Sequence, residues 1–339
     1  MNFKYIFLGV IAAAMLAASC AKQPKDISSA EWEQEVIAAY LSENNHDAST
    51  LTQLEGGGYV LLHNTEKRTG TASPQTSDYV KFDAVVKTLK GAKLQVTKKW
   101  DAQLLGTFAN STHYLPTYDS LPSLLLGVQR ALSQMQEGDS MIVLLPSSLA
   151  YGTSGSSSIS GYTPLIFEIM LRQIITDPRK AEANDVADFL TAHTEFVPLL
   201  DSIGEPLAGI YIHYVDTVAV IADSITYPVK DTKMGLKYAG FFLDDFLLDT
   251  NIEDTAANHK LNLYDSNGAK QSKYSSNFEH TYGYGATNSI GAFDAALRRV
   301  TQGSTVEFVF TSEWGYGKIG TTTTVQPYTP LHFRVYRDK

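Results

Sequence analysis

The chain carries one sequence pattern twice, the second copy following the first by about 165 residues. In the first copy Val128, Ala131, Leu132 and Met135 lead to Gly138, then to Ala150-Tyr151-Gly152 and to Tyr162-Thr163-Pro164-Leu165-Ile166-Phe167. In the second, Phe293, Ala296, Leu297 and Val300 lead to Gly303, then to Gly315-Tyr316-Gly317 and to Tyr328-Thr329-Pro330-Leu331-His332-Phe333. Solenoid units recur every ~20–50 residues, so a repeat this long is a duplicated domain. Function must therefore be asked of each copy separately.

Each copy opens with a helical pattern, around Trp32 to Leu41 and around Val186 to Leu190, whose apolar residues recur at three and four. Short strands follow at 58–62 and 209–212, then alternating stretches at 79–86 and 236–243. The one further helix predicted per copy is that of Val128 and Phe293, spaced i, i+3, i+4, i+7, with its apolar face on a sheet and Gly138 or Gly303 as its cap. Residues 141–145 and 306–310 read as strands. The closing strands turn Leu165, Phe167, Ile169 and Leu171, or Leu331, Phe333 and Val335, to one face. The expected class is α+β: a curved antiparallel sheet wrapped on one helix, twice, each preceded by a short helix.

With 339 residues, 44% hydrophobic and 19% charged, both copies can bury a core. A formal net charge of −9 and the lack of a Lys/Arg cluster exclude a nucleic-acid surface. Lys4, the apolar run over 5–18 and the small residues Ala17, Ala18 and Ser19 read as a secretory signal peptide, too short to span a bilayer. Cys20, the sole cysteine, follows directly and resembles a lipobox cysteine. The expected organisation is a signal peptide over 1–19, a tether over 20–30 lipidated at Cys20, a first domain over 31–177 and a second over 178–339. The eight histidines show no metal-ligand spacing. Neither a dinucleotide fingerprint nor a G-x-S-x-G elbow occurs, so no metal and no cofactor are implied. Residues 154–160 and 321–324 read as mobile flap loops.

The order of helix, glycine, strand, Ala/Gly-Tyr-Gly, glycine-rich loop and final strand resembles the FKBP-type peptidyl-prolyl isomerases over nearly all of both copies. The leading helices are similar to those of FKBP lipoproteins of the Bacteroidota. The resemblance implies an apolar basin that isomerises X-Pro bonds, with Tyr238, Asp249 and Tyr316 at its catalytic positions. Leu248, Ile290, Phe293, Val325 and Phe333 would line it. In the first copy Ala84 stands at the tyrosine position, Leu94-Gln95 replaces Leu248-Asp249, and Val128 stands where the floor aromatic belongs. Tyr151, Leu125, Phe167 and Ile159 remain, so that copy is expected to be weak or silent. Inserts over 96–123 and 251–289 border the basins.

The implied function is a folding helper lipid-anchored in the bacterial cell envelope, at the outer membrane facing the periplasm. Its partners would be proline-containing unfolded or exported polypeptides. The alternative is a non-catalytic lipoprotein that docks peptide or glycan, for which 19 tyrosines would suit stacking.

Overall fold

The alternating stretches become strands and the three-and-four spacings become helices, once in each copy. The computed structural model describes residues 28–216, 228–284, 290–298, 300–321 and 324–338. The signal peptide, Cys20, most of the tether, part of the second flap and the end of the second insert lie outside the described residues.

Helix α1 (Ser29–Glu43) starts at Ser28, whose side chain accepts from Glu31 N while the Glu31 carboxylate accepts from Ser28 N. The first sheet then forms from β1 (Thr52–Leu54), β2 (Gly58–Asn64), β3 (Tyr79–Thr88), β4 (Lys93–Val96), β5 (Thr117–Ser120), β6 (Ser140–Leu145) and β7 (Leu165–Ile175). Helix α2 (Lys99–Leu104) lies between β4 and β5, and α3 (Leu126–Leu132) between β5 and β6. The second copy opens with α4 (Pro178–Ala192), then β8 (Val197–Leu200), β9 (Pro206–Asp216), β10 (Lys233–Phe242) and β11 (Leu247–Thr250). It closes with α5 (Glu253–Asn258), β12 (Phe278–Thr281), α6 (Gly291–Leu297), β13 (Thr305–Phe310) and β14 (Leu331–Arg337). Both sheets run in one order, β1-β2-β6-β7-β3-β4 and β8-β9-β13-β14-β10-β11, with β5 on β3 and β12 on β10.

Helix α3 lays Val128, Ala131 and Leu132 on Val143, Phe167, Ile169 and Leu171, and α6 lays Phe293, Ala296 and Leu297 on Phe308, Phe333 and Val335. Each large apolar side chain so buried contributes about 1.5–3 kcal/mol. These helices end at Leu132 and Leu297, short of the expected glycine caps. Met135 and Val300 stay buried because the chain continues as a tight turn, with Met135 N bonded to Leu132 O and Val300 N to Leu297 O. Gly138 instead enters β6 at φ 89°, where a Cβ would lie 1.9 Å from Lys67 O. Each insert also adds a six-residue helix, α2 or α5, that the pattern does not predict. They bury only Ala102 and Ala256, so they leave no apolar period to read.

The leading helices are fastened alike. The buried Glu33 carboxylate accepts from Ser147 N and, at 2.8 Å, from Ser147 Oγ, and buried Glu182 accepts from Ser312 N and, at 3.0 Å, from Ser312 Oγ. Replacing Glu182 by alanine strands a buried N–H and hydroxyl, an expected cost of about 1–3 kcal/mol. Amide exchange across Pro178–Ala192 is the measurement: it is expected to speed up, and exchange at the parent's rate would contradict the anchor.

Candidate functional site

Backbone register fixes which positions of the two copies correspond. On β10 and β14, Tyr238 lies opposite Val335 and Gly240 opposite Phe333; on β3 and β7, Ala84 lies opposite Ile169 and Val86 opposite Phe167. Strand β11 sets Asp249 beside Gly240, where β4 sets Gln95 beside Val86. The structural pairs are thus Tyr238 with Ala84 and Asp249 with Gln95, the same pairs that the sequence alignment makes. The insert strands add one more: Phe278 lies opposite Leu236, and Thr117 opposite Phe82.

In the second copy these elements enclose a cavity of about 200 Å³ lined by Tyr238, Leu248, Asp249, Phe278, Ile290, Phe293, Tyr316 and Phe333. Phe293 begins α6 and floors the cavity, 4% exposed. Its ring meets Phe333 edge-on at 5.4 Å, Phe308 at 5.6 Å and Phe278 at 6.2 Å. Tyr238 forms a wall, with its ring 5.8 Å from Phe278 at 75°. Edge-to-face pairs of this kind contribute ~0.5–1.5 kcal/mol beyond burial, so the basin is preorganised. Val325, expected among the lining residues, is 2% exposed and packs in the core beneath. Phe278 and Lys273 were not read from sequence. Both come from the insert, where no motif assigns a face, and only the pairing of β12 with β10 brings Phe278 to the basin.

The polar edge centres on Asp249. The Tyr238 hydroxyl donates to its Oδ2 at 2.6 Å, and Lys273 Nζ donates to Oδ1 at 2.9 Å. Burial, reinforced by the Asp249 hydrogen bond, pushes the Tyr238 phenol far above its ordinary range, so it stays protonated. Burial and then Asp249 push Tyr316 the same way. Burial opposes the charge of Lys273, and its bond to Asp249 with the field of Tyr274 reverses that, leaving its pKa raised. The site therefore offers two neutral hydroxyls and one compensated carboxylate around an aromatic floor. It can take up a small apolar ring and hydrogen-bond a carbonyl, and nothing in it is set up as a nucleophile.

In the first copy Tyr151, Leu125, Phe167 and Ile159 pack against or within the first core. Tyr151 is half-buried, which raises its pKa. The positions of Tyr238, Asp249, Phe278 and Phe293 hold Ala84, Gln95, Thr117 and Val128, so this copy lacks both the aromatic floor and the hydroxyl–carboxylate pair.

The chain is similar to the three FKBP domains of wheat FKBP73, at 11% identity over 85% of this chain and 98% of that one, TM-score 0.31. It is similar to a peptidyl-prolyl cis-trans isomerase from Pseudomonas syringae pv. tomato, at 21% identity over 44% of this chain and 98% of that one, TM-score 0.33. FkpA from Escherichia coli matches at 18% identity over 52% of this chain and 74% of that one, TM-score 0.33. No curated protein sequence matches the chain. The family described as FKBP-type peptidyl-prolyl cis-trans isomerase matches residues 70–172 and 226–336, more than half of the sequence, and the chain belongs to that family.

Proposed function

We propose that the second domain isomerises X-Pro peptide bonds and that the first is catalytically weak or silent, holding unfolded chain for its neighbour. The observation that carries this reading is the single cavity of about 200 Å³ on which Tyr238, Asp249, Phe293, Tyr316 and Phe333 converge. Rotation about an X-Pro bond faces a barrier of ~18–20 kcal/mol. The partial double bond is lost as the bond twists, so an apolar basin that removes water from the imide favours the twisted state over either planar isomer. A hydroxyl from Tyr316 donated to a substrate carbonyl adds to that preference, and each ~1.4 kcal/mol gives tenfold in rate.

The segment over 1–19 and Cys20 support the rest of the reading: export, lipidation at Cys20, and clients among exported polypeptides at the outer membrane, facing the periplasm. The test is a protease-coupled isomerisation assay on a proline tetrapeptide, using the full-length chain in detergent beside a Tyr316→Ala, Asp249→Ala variant. The parent is expected to accelerate the reaction and the variant to lose at least about tenfold of that. A folded parent without acceleration would instead support a non-catalytic peptide- or glycan-docking lipoprotein.

A further inference from the structure

We infer that the cleft between the two copies is a second polypeptide-binding site, for an extended segment carrying a basic side chain beside apolar ones. The cleft is a cavity of about 400 Å³ whose lining includes Lys81 and Tyr118 of the first sheet, Asp185, Asp188 and Phe189 of α4, and Phe242 of β10. Its size falls within the ~300–1,000 Å³ of ligand pockets, and it shares no lining residue with the prolyl basin.

Tyr118 is 7% exposed, and its buried hydroxyl has no hydrogen-bond partner. That hydroxyl has essentially no accessible surface, so Tyr118 presents its ring to the cleft as an aromatic wall. The surrounding charge says which ligand. Asp185 and Asp188 face the cleft together with Asp244, whose Oδ2 is engaged by His113 Nε2 at 2.9 Å. The cation on the other side, Lys81, sits with Nζ 5.0 Å from the Tyr118 ring centroid. Asp185 and Asp188 are both exposed on α4 and repel one another, so a guanidinium or ammonium arriving between them is favoured. Phe189 and Phe242 give the apolar contact. Lys81 donates to a peptide carbonyl. An extended polypeptide with an arginine or lysine next to an aliphatic residue meets all of these demands.

The walls are held at a fixed spacing. The His113 ring stacks on Phe246 at 4.2 Å and 4°, Tyr79 of the first copy meets Tyr328 of the second at 5.3 Å, and Gln326 Nε2 donates to Pro116 O at 3.0 Å. A cleft clamped on both sides is preformed, which lowers the ordering cost of binding.

The experiment is fluorescence anisotropy of a labelled, proline-free peptide of alternating arginine and leucine, titrated with the full-length chain in detergent. A glutamate–leucine peptide serves as control. The arginine peptide is expected to bind and the glutamate peptide not. Asp185→Asn with Asp188→Asn is expected to weaken binding more than about tenfold, and Asp188→Asn alone by about threefold to tenfold. Asp188→Asn, an isosteric change at an exposed position of α4, decides the matter if the double variant does not fold. The Tyr316→Ala, Asp249→Ala variant is expected to bind the peptide as the parent does, so failure of the isomerase reading and failure of this one are separate results. Equal binding of the glutamate peptide, unchanged affinity in both cleft variants, or displacement by excess proline tetrapeptide would each overturn the assignment.

Discussion

Valine in place of Gly240 is expected to close the second pocket and lower kcat/KM for a proline peptide by more than about tenfold, with a folding cost of about 1–3 kcal/mol. A Cβ at this position would lie 2.4 Å from Phe333 Cζ and 2.6 and 2.9 Å from the two ring carbons beside it, so the ring rests directly on the strand backbone. Phe333 is hemmed in by Phe293 at 5.4 Å, Phe310 at 5.8 Å and Phe308 at 6.1 Å. The remaining direction of escape is into the cavity that it lines. The first copy already carries this substitution: Val86 stands opposite Phe167 in the same register, in the domain that has also lost the tyrosine and the acid. The isomerisation assay on Gly240→Val, run beside a thermal unfolding curve, separates the two effects. Activity retained in a folded variant would mean that Phe333 moves elsewhere and that the pocket does not depend on the bare backbone of β10.

How much of this was legible in the sequence differs by kind of residue. The central strands of each sheet were legible because they bury one face, and a period of two cannot be kept by accident across Leu165, Phe167, Ile169 and Leu171, whereas the short edge strands such as β4, which buries no residue, leave no such pattern. The cavity-lining residues Tyr238, Leu248, Asp249, Ile290, Phe293, Tyr316 and Phe333 were legible because they sit on framework strands, on the start of α6 or on the Gly-Tyr-Gly turn, whose spacing both copies share. Val325 was placed in the lining when it lies in the core. An aliphatic residue in a flap can face either way, and sequence does not say which. Phe278 and Lys273 were missed for another reason. They lie in an insert whose length differs between copies, and their place depends on β12 adding to β10 at one particular register, a long-range pairing that leaves no local signature. The helix ends were misjudged because Met135 and Val300 are buried on a turn beyond the last helical residue, so an apolar period outlasts the helix that it suggests.

The first domain, without the aromatic floor and the hydroxyl–carboxylate pair, has a buried ion pair at the start of β6 where the second has a serine, and removing it is expected to cost that domain about 3 kcal/mol, the lower part of the range for breaking a buried ion pair. Asp139, fully buried at the start of β6, accepts from Arg68 Nε at 2.9 Å, Arg68 Nη2 at 2.8 Å, His63 Nε2 at 3.0 Å and Gln136 N at 2.9 Å. The lower figure applies because Arg68 and His63 are 36% and 30% exposed and regain water once the carboxylate is gone. Burial works against the charge of Asp139, but the bonds from Arg68, Gln136 N and His63 outweigh it and hold the carboxyl down at about 2. A depressed acid of this kind stabilises the fold above its unfolded value of 3.8, and that contribution, about 2–3 kcal/mol, is lost as pH falls toward 2. The second copy has Ser304 at the matching position, bonded to Thr301 through a neutral hydroxyl, and so provides an internal control. Hydrogen exchange of Asp139→Ala at pH 7 is expected to show lost protection in Ser140–Leu145 and Leu165–Ile175, while Thr305–Phe310 keeps its own. Acidifying the parent to about pH 2.5 is expected to produce the same asymmetry in milder form. If both sheets lost protection together, the two domains would unfold as one unit. The first domain would then be a stabilising partner of the second.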